Sequence, residues 1–360
     1  GDRAVRLPDE YNRTFWDVTA AATSAKTVHF TGQWKHLRPF VRYDRPRGRI
    51  IIQPPAGPAG DDPMKITAEA DRRLADRDDT AAIALYRRAL AAAADHVPAL
   101  VNLGFVLRGR QEIAEARSLL RQAVHLEPAN AAAWANLTGS YVNEGEPEAG
   151  EAVAREALQH LPHTAEIHWN LALLLLEQGR WREGWREYRW RFETAVCPSR
   201  NYCSPRQPGR TVPRLSAIGH LRAGEVVLCH GEQGLGDEIL FAGLLKEFVA
   251  AVQAQSAMVV FDPNPRLAGV FGRSFTDLPI ISHGGQDQAG VIQLSQPVDW
   301  VVPIGDLGGF HRNETADFSE HSGYLRCDPA AVAALRHRLR AEADGLPLVG
   351  LAWTGGSPYT

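Results

Sequence analysis

Two hydrophobic rhythms run along this chain. Between about Met64 and Glu193 small and apolar residues recur at helical spacing, and the pattern returns every 34 residues. Leu103, Leu137 and Leu171 form one large apolar column. Ala82, Ala116, Gly150 and Gly184 form a small-residue column, and Ala89, Ala123 and Ala157 another, where two helices must lie close. Pro128 and Pro162 cannot continue a helix, so each closes one unit. Gly145 and Gly179 stand at the turn inside a unit, where positive φ is useful, and Gln111 takes that place one unit earlier. The period predicts two antiparallel helices per unit, in four units near 64–97, 98–131, 132–165 and 166–193.

The rhythm changes after residue 213. Short apolar runs at 225–229, 257–261, 280–281, 300–302 and 348–353 read as strands, and 237–253 and 330–343 read as helices. Ile239, Leu240, Leu244, Leu245, Phe248 and Val252 supply the apolar side of the first helix. Alternating strand and helix predicts an α/β doubly wound parallel sheet, whose ligands bind beyond the carboxyl ends of the strands.

The 34-residue unit, with its repeated Asn-Leu pairs, resembles the tetratricopeptide (TPR) repeat, an α-solenoid over about a third of the chain. In that family a concave face holds a protein or peptide. An asparagine amide donates and accepts at once, so it can bracket a peptide bond. Asn102, Asn136 and Asn170 are therefore the candidate partner-binding residues, with the plain alternative that they belong to the repeat consensus. Trp134 and Trp169 read as core packing. Trp181, Trp185, Tyr188 and Phe192 share one helix face with arginines between them. That face reads as a cap docking on the next domain, and otherwise as a basic aromatic strip for an anion or nucleic acid.

Composition narrows the field. A net charge of −3 argues against general nucleic-acid binding, and no run of 18 apolar residues predicts a transmembrane helix. Cys197, Cys203, Cys229 and Cys327 lack metal-ligand spacing, and free thiols in a cytoplasmic protein are expected. The chain opens on Gly1 and closes on an apolar strand and a glycine-rich turn, 354–357, which leads to the expectation of a fragment cut at both ends.

Residues 1–45 resemble the C-terminal end of GT-A glycosyltransferases of the glycogenin type, through Leu7-Pro8-Asp9-Glu10-Tyr11-Asn12 and His29-Phe30-Thr31-Gly32-Gln33-Trp34-Lys35. The resemblance implies a divalent metal on His29 and a sugar-nucleotide diphosphate contact from Lys35. His36-Leu37 depart from the family's Pro-Trp, and the nucleotide-binding fold that should come before is missing, so a remnant without a working site is the alternative. Residues 46–63, rich in proline and glycine, read as a linker, and 194–213 as another.

The run His230-Gly231-Glu232-Gln233-Gly234-Leu235-Gly236-Asp237 follows the first strand of the 214–360 segment. Such a loop turns backbone N–H groups and a helix N-terminus toward one point, which suits an anion. It lacks the order of the dinucleotide fingerprint and a Walker lysine, and a tight turn without a ligand is the alternative. Coming after a repeat that ends in Gly184-Trp185-Arg186-Glu187-Tyr188-Arg189-Trp190-Arg191, and before Leu348-Val349-Gly350-Leu351-Ala352-Trp353-Thr354-Gly355, it resembles bacterial TPR proteins carrying a GT-B domain of heptosyltransferase and O-GlcNAc transferase type. The resemblance implies that this Rossmann-like segment is the first, acceptor-binding half of a GT-B fold, while the half that holds the nucleotide-sugar donor is not in this chain. It makes Asp237, Glu232 and His230 candidate acid–base residues, and Gly231, Gly234 and Gly236 substrate-binding glycines. Asp237 is alternatively a helix cap. The expectation is sugar transfer from a nucleotide-sugar to a protein or glycan acceptor, inactive in this fragment alone. A non-catalytic TPR scaffold with a degenerate transferase domain is the alternative, and an anion-binding regulator a third.

Overall fold

A computed structural model describes residues 62–349, except 143, 196, 198–199, 207, 282–289, 319–322, 344, and 348, and the backbone of four short strands before them. Those strands are β1 (Ala4–Val5), β2 (Thr27–Val28), β3 (Val41–Asp44) and β4 (Arg49–Ile52). β1 pairs with β2 in parallel, and β3 with β4 antiparallel. The chain divides into two compact units that meet between Ile167 and His168.

The first unit is a run of helix hairpins. Their first helices are α1 (Pro63–Ala75), α3 (Val97–Gly109) and α5 (Ala131–Gly139). Their second helices are α2 (Asp79–Ala92), α4 (Ile113–Leu126) and α6 (Pro147–His160). Both series begin at steps of 34 residues, and α7 (Ala165–Glu177) and α8 (Trp181–Tyr188) continue them. The helical array therefore carries the TPR period in its own geometry. Asp62, Asp78 and Asn130 cap α1, α2 and α5 through bonds to Met64, Ala81 and Ala133 N–H. Pro63, Pro98 and Pro147 sit in first turns, where a missing N–H costs nothing.

The small-residue columns are fully buried: Ala82, Ala89, Ala116, Ala123 and Ala157 have no exposed surface. At Gly104 even a methyl would lie 2.7 Å from Leu120 Cγ. Between successive hairpins of this unit, Arg117 reaches from α4 to the α5–α6 turn, bonding Ser140 and Glu146 and lying 3.6 Å over the Tyr141 ring. The turn column behaves as one conformation. Arg77, Gln111 and Gly145 have φ of 62°, 63° and 67°, and Gly179 in the second unit has 72°.

The second unit contains β5 (Asn201–Cys203), β6 (Val226–His230), α9 (Leu235–Ala242) and α10 (Leu245–Gln253). It continues with β7 (Met258–Asp262), α11 (Ala268–Ser274), β8 (Val291–Gln293), β9 (Trp300–Pro303), α12 (Leu307–His311) and α13 (Pro329–Ala343). β7, β6 and β9 form a parallel sheet in that order, with Val227 opposite Val259 and Trp300. β6 is central, so the chain places its next strand on one side and β9 on the other. β5 and β8 form a separate parallel pair.

Alternation along the strands sorts the core into two clusters. Val227, Cys229, Val259, Phe261 and Val302 pack with Leu245, Phe248, Phe271 and Leu307 of the helices. Val226, Leu228, Val260 and Val301 pack instead with Tyr202, Ile292 and Val298, on or near β5 and β8. Of the doubly wound sheet expected from the sequence only three parallel strands are described, and among the described residues a doubly wound arrangement is not seen: helices pack in one core, while a second small sheet takes the place of helices in the other. The 194–213 stretch, expected as a linker, supplies β5 and a fully buried Tyr202. The helix expected over 237–253 is two helices. Their break at Gly243 lies where the Tyr324 hydroxyl donates to Ile239 O, and a methyl on Gly243 would crowd Leu240 O at 3.2 Å. Among the described residues Ile280 forms only an isolated bridge with Phe261, and apart from Val349 the strand expected over 348–353 lies outside the described residues.

Candidate functional site

β6 is buried along its whole length and delivers the glycine loop at its carboxyl end. Gly231 N–H donates to Asp262 O at 2.9 Å, tying the loop to the end of β7. A methyl on Gly231 would lie 2.2 Å from Glu238 Oε2, so any side chain there must displace that carboxylate. Gly234 precedes the first turn of α9, and its N–H donates to Asp237 Oδ2 at 3.1 Å. Asp237 therefore does cap α9, and it remains exposed. Around a methyl built on Gly236 no atom comes within 4 Å, so nothing in the protein requires glycine there.

The three candidate acid–base residues have different surroundings. Glu232 is buried; its carboxylate accepts from Arg191 Nε at 3.1 Å, Arg191 Nη2 at 2.5 Å and Gly305 N–H at 2.8 Å. His230 is buried against the Tyr202 ring, and its Nδ1–H donates to Gly231 O at 3.1 Å. Burial pushes its pKa down to about 3, so it is a neutral imidazole. Asp237 is the one of the three that faces solvent.

Sequence reasoning passed over the groups around them. Glu238 is 3% exposed, accepts from Asn264 N–H at 2.9 Å, and is held above the usual carboxyl range by burial. Asp262 accepts from the Tyr202 hydroxyl at 3.3 Å. Asp306 is buried between Arg191 and Arg214, at 2.8 and 2.9 Å; burial opposes its charge, but the two arginines outweigh that and lower its pKa. Glu238 lies on α9 just past the glycine motif, whereas Asp262 at the end of β7 and Asp306 in the turn after β9 come from positions far apart in sequence that no motif links.

The aromatic face of α8 packs inside the second unit. Trp185 Nε1–H donates to Arg312 O at 2.6 Å, and a methyl on Gly308 would meet the Trp185 ring at 2.5 Å. Trp181 bonds Thr315 and lies 4.4 Å from the Phe318 ring.

On the repeat helices Asn102 and Asn136 are half-buried on α3 and α5, and Asn170 is half-buried on α7 in the second unit. Asn102 Nδ2–H donates to Asp71 at 2.8 Å, and the same carboxylate accepts from Tyr86 OH at 2.6 Å. Trp134 is core, its Nε1–H donating to Pro128 O. A concavity of about 540 Å³ is lined by Glu127 to Ala131, none of them a candidate residue. The His29 and Lys35 side chains lie outside the described residues. Among the described residues no group of three or more His, Cys, Asp or Glu is placed to hold a metal. No helix among them is long and apolar enough to cross a membrane.

No family model matches the chain. It is 28% identical over 286 residues to Protein FlbA of Caulobacter vibrioides, which covers 76% of this chain and 46% of that protein. The chain thus spans less than half the length of that relative. Among solved structures it is similar to the MamA protein, at 20% identity and TM-score 0.33, over 36% of this chain and 72% of that one. A thermophilic TPR protein of Thermus thermophilus matches at 24% and 0.33, over 38% and 76%. The first TPR of Spaghetti, bound to an HSP90 peptide, matches at 15% and 0.31, over 32% and 92%. The TPR fold of the first unit rests on its own helix period.

Proposed function

We propose that this chain joins a protein-binding TPR array to the acceptor half of a glycosyltransferase-like α/β domain. In this reading the array holds a protein or peptide, which is itself the acceptor or guides one. The reaction of the whole protein is sugar transfer from a nucleotide-sugar to a protein or glycan hydroxyl. The observation that carries the reading is the glycine loop at the carboxyl end of β6, the central parallel strand, from which the chain departs to both sides. That is where open α/β sheets bind ligands. Gly234 and Gly236 are exposed and keep the backbone approachable, Gly231 gives room to the Glu238 carboxylate behind the loop, and Asp237 is the carboxylate exposed to take a proton from an acceptor hydroxyl. Lys35 and His29 would contribute only through the N-terminal segment, with any divalent metal.

A scaffold without turnover is the second reading. It is favoured by Glu232, whose carboxylate is occupied by Arg191 and Gly305 as in a packed joint. Calorimetric titration of the natural protein with UDP-, GDP- and ADP-sugars, followed by a transfer assay on peptide and glycan acceptors, separates the two. Donor binding and transfer in the wild type, with transfer lost and donor binding kept in Asp237→Asn, is the expected result. Absence of binding to every donor ends the transferase reading and leaves the scaffold.

A further inference from the structure

The end of the last repeat reaches into the glycine loop. Arg191, in the short 3-10 turn Arg189–Glu193 that follows α8, has no exposed surface. Its guanidinium lies 4.3 Å from the Tyr188 ring centre and 3.9 Å from that of Phe192. It donates twice to Glu232, once to Asp306 at 2.8 Å and once to Tyr188 O at 3.0 Å. Burial works against its charge, yet Asp306 and Glu232 hold its pKa above the ordinary range. Glu232 in turn accepts Gly305 N–H, and a methyl on Gly305 would lie 2.5 Å from Glu232 Oε1 and 3.1 Å from Arg191 Nη2. One fork therefore fastens the loop after β6 to the turn after β9.

Gln233, the next residue of the loop, has φ of 60°. A left-handed non-glycine residue costs about 1–2 kcal/mol, so something must hold it. Its Nε2–H donates to the Tyr188 hydroxyl at 2.8 Å. Both side chains between Gly231 and Gly234 are thus gripped by residues four positions or fewer apart at the end of the repeats. This grip differs from what a base would need, since it consumes the Glu232 carboxylate.

We infer that Tyr188 and Arg191 are the positioning residues of the glycine loop: the end of the TPR array sets the loop shape that receives an anionic group. The anion part rests on the proposed ligand role of the loop; the positioning part does not. Hydrogen–deuterium exchange of the 231–236 amides in the whole chain, with the β7 amides as internal control, tests the positioning directly. Tyr188→Phe removes one oxygen and keeps the ring packing, so the fold is retained. It is expected to speed exchange in the loop about fivefold, the size of one net hydrogen bond, with β7 unchanged. Arg191→Lys keeps the charge but not the fork, and is expected to speed it more than about tenfold. Unchanged loop exchange in both variants, or equal acceleration in β7, overturns the proposal. Inorganic pyrophosphate binding is measured on the same proteins. Weaker binding in step with loop exchange supports the anion role, whereas a wild type that binds none while the loop responds removes that role alone.

Discussion

Gly231 is the position where a single methyl has the most clearly worked cost. A Cβ there would lie 2.2 Å from Glu238 Oε2, 2.5 Å from its Cδ and 2.8 Å from Oε1. Glu238 is 3% exposed and its carboxyl accepts Asn264 N–H, so moving it out of the way gives up that bond in a packed site. Gly231→Ala must displace that carboxyl and break the bond. Overpacking costs about 1–3 kcal/mol, and a lost buried hydrogen bond about 1–3 kcal/mol. Alanine returns about 0.4–1 kcal/mol through a less flexible unfolded chain. The expected net loss is about 3 kcal/mol. With Glu238→Ala already in place the methyl meets no carboxyl, and the same substitution is expected to cost under about 1 kcal/mol. The double-mutant cycle should therefore show about 2 kcal/mol of coupling. Native-state hydrogen exchange at the β6 amides is the suitable assay, because it reads the second unit alone and avoids one denaturation curve that mixes two units. Additivity within about 0.5 kcal/mol would refute the steric account of this glycine.

Two further predictions concern local chemistry. His230, held near a pKa of about 3 by burial, cannot take the proton that an unfolded histidine takes below about pH 6.5. Its contribution to stability is intact above that pH and is lost at about 1.4 kcal/mol per pH unit as the pH falls from there toward 3. In His230→Gln the exchange-derived stability of β6 should lose that part of its pH slope, and an unaltered slope would count against the assignment. In the first unit, Gln111→Gly relieves a side chain held at φ 63° and should stabilise the repeats by about 1 kcal/mol, while Gly145→Ala, at φ 67°, should destabilise them by a similar amount. Native-state hydrogen exchange at the amides of α3 and α6 measures both within the first unit, and a shift of the same sign for the two would contradict the shared-turn geometry.

The sequence by itself determined the repeat array. Its period survives as helix starts 34 residues apart, because each unit packs mainly on its neighbours and the small-residue columns express that contact locally. It also placed the central strand and its glycine loop, since a buried apolar run followed by glycines and a capping aspartate is a local signal. What it could not show was the surroundings of that loop. Glu232 reads as a free acid in the motif, yet its carboxylate is engaged by Arg191, 41 positions earlier, and by Gly305 N–H, 73 positions later. The two cores on the sheet also depend on Tyr202 and Ile292, from three-residue strands too short to carry a period. Electrostatic partnership and strand pairing at long separation are properties of the tertiary structure, because only folding brings those groups out of water and together. At position 233 the same division appears in one residue. Its side chain is written in the sequence, but its left-handed backbone and its bond to Tyr188 follow from where the end of the repeats comes to rest against the loop.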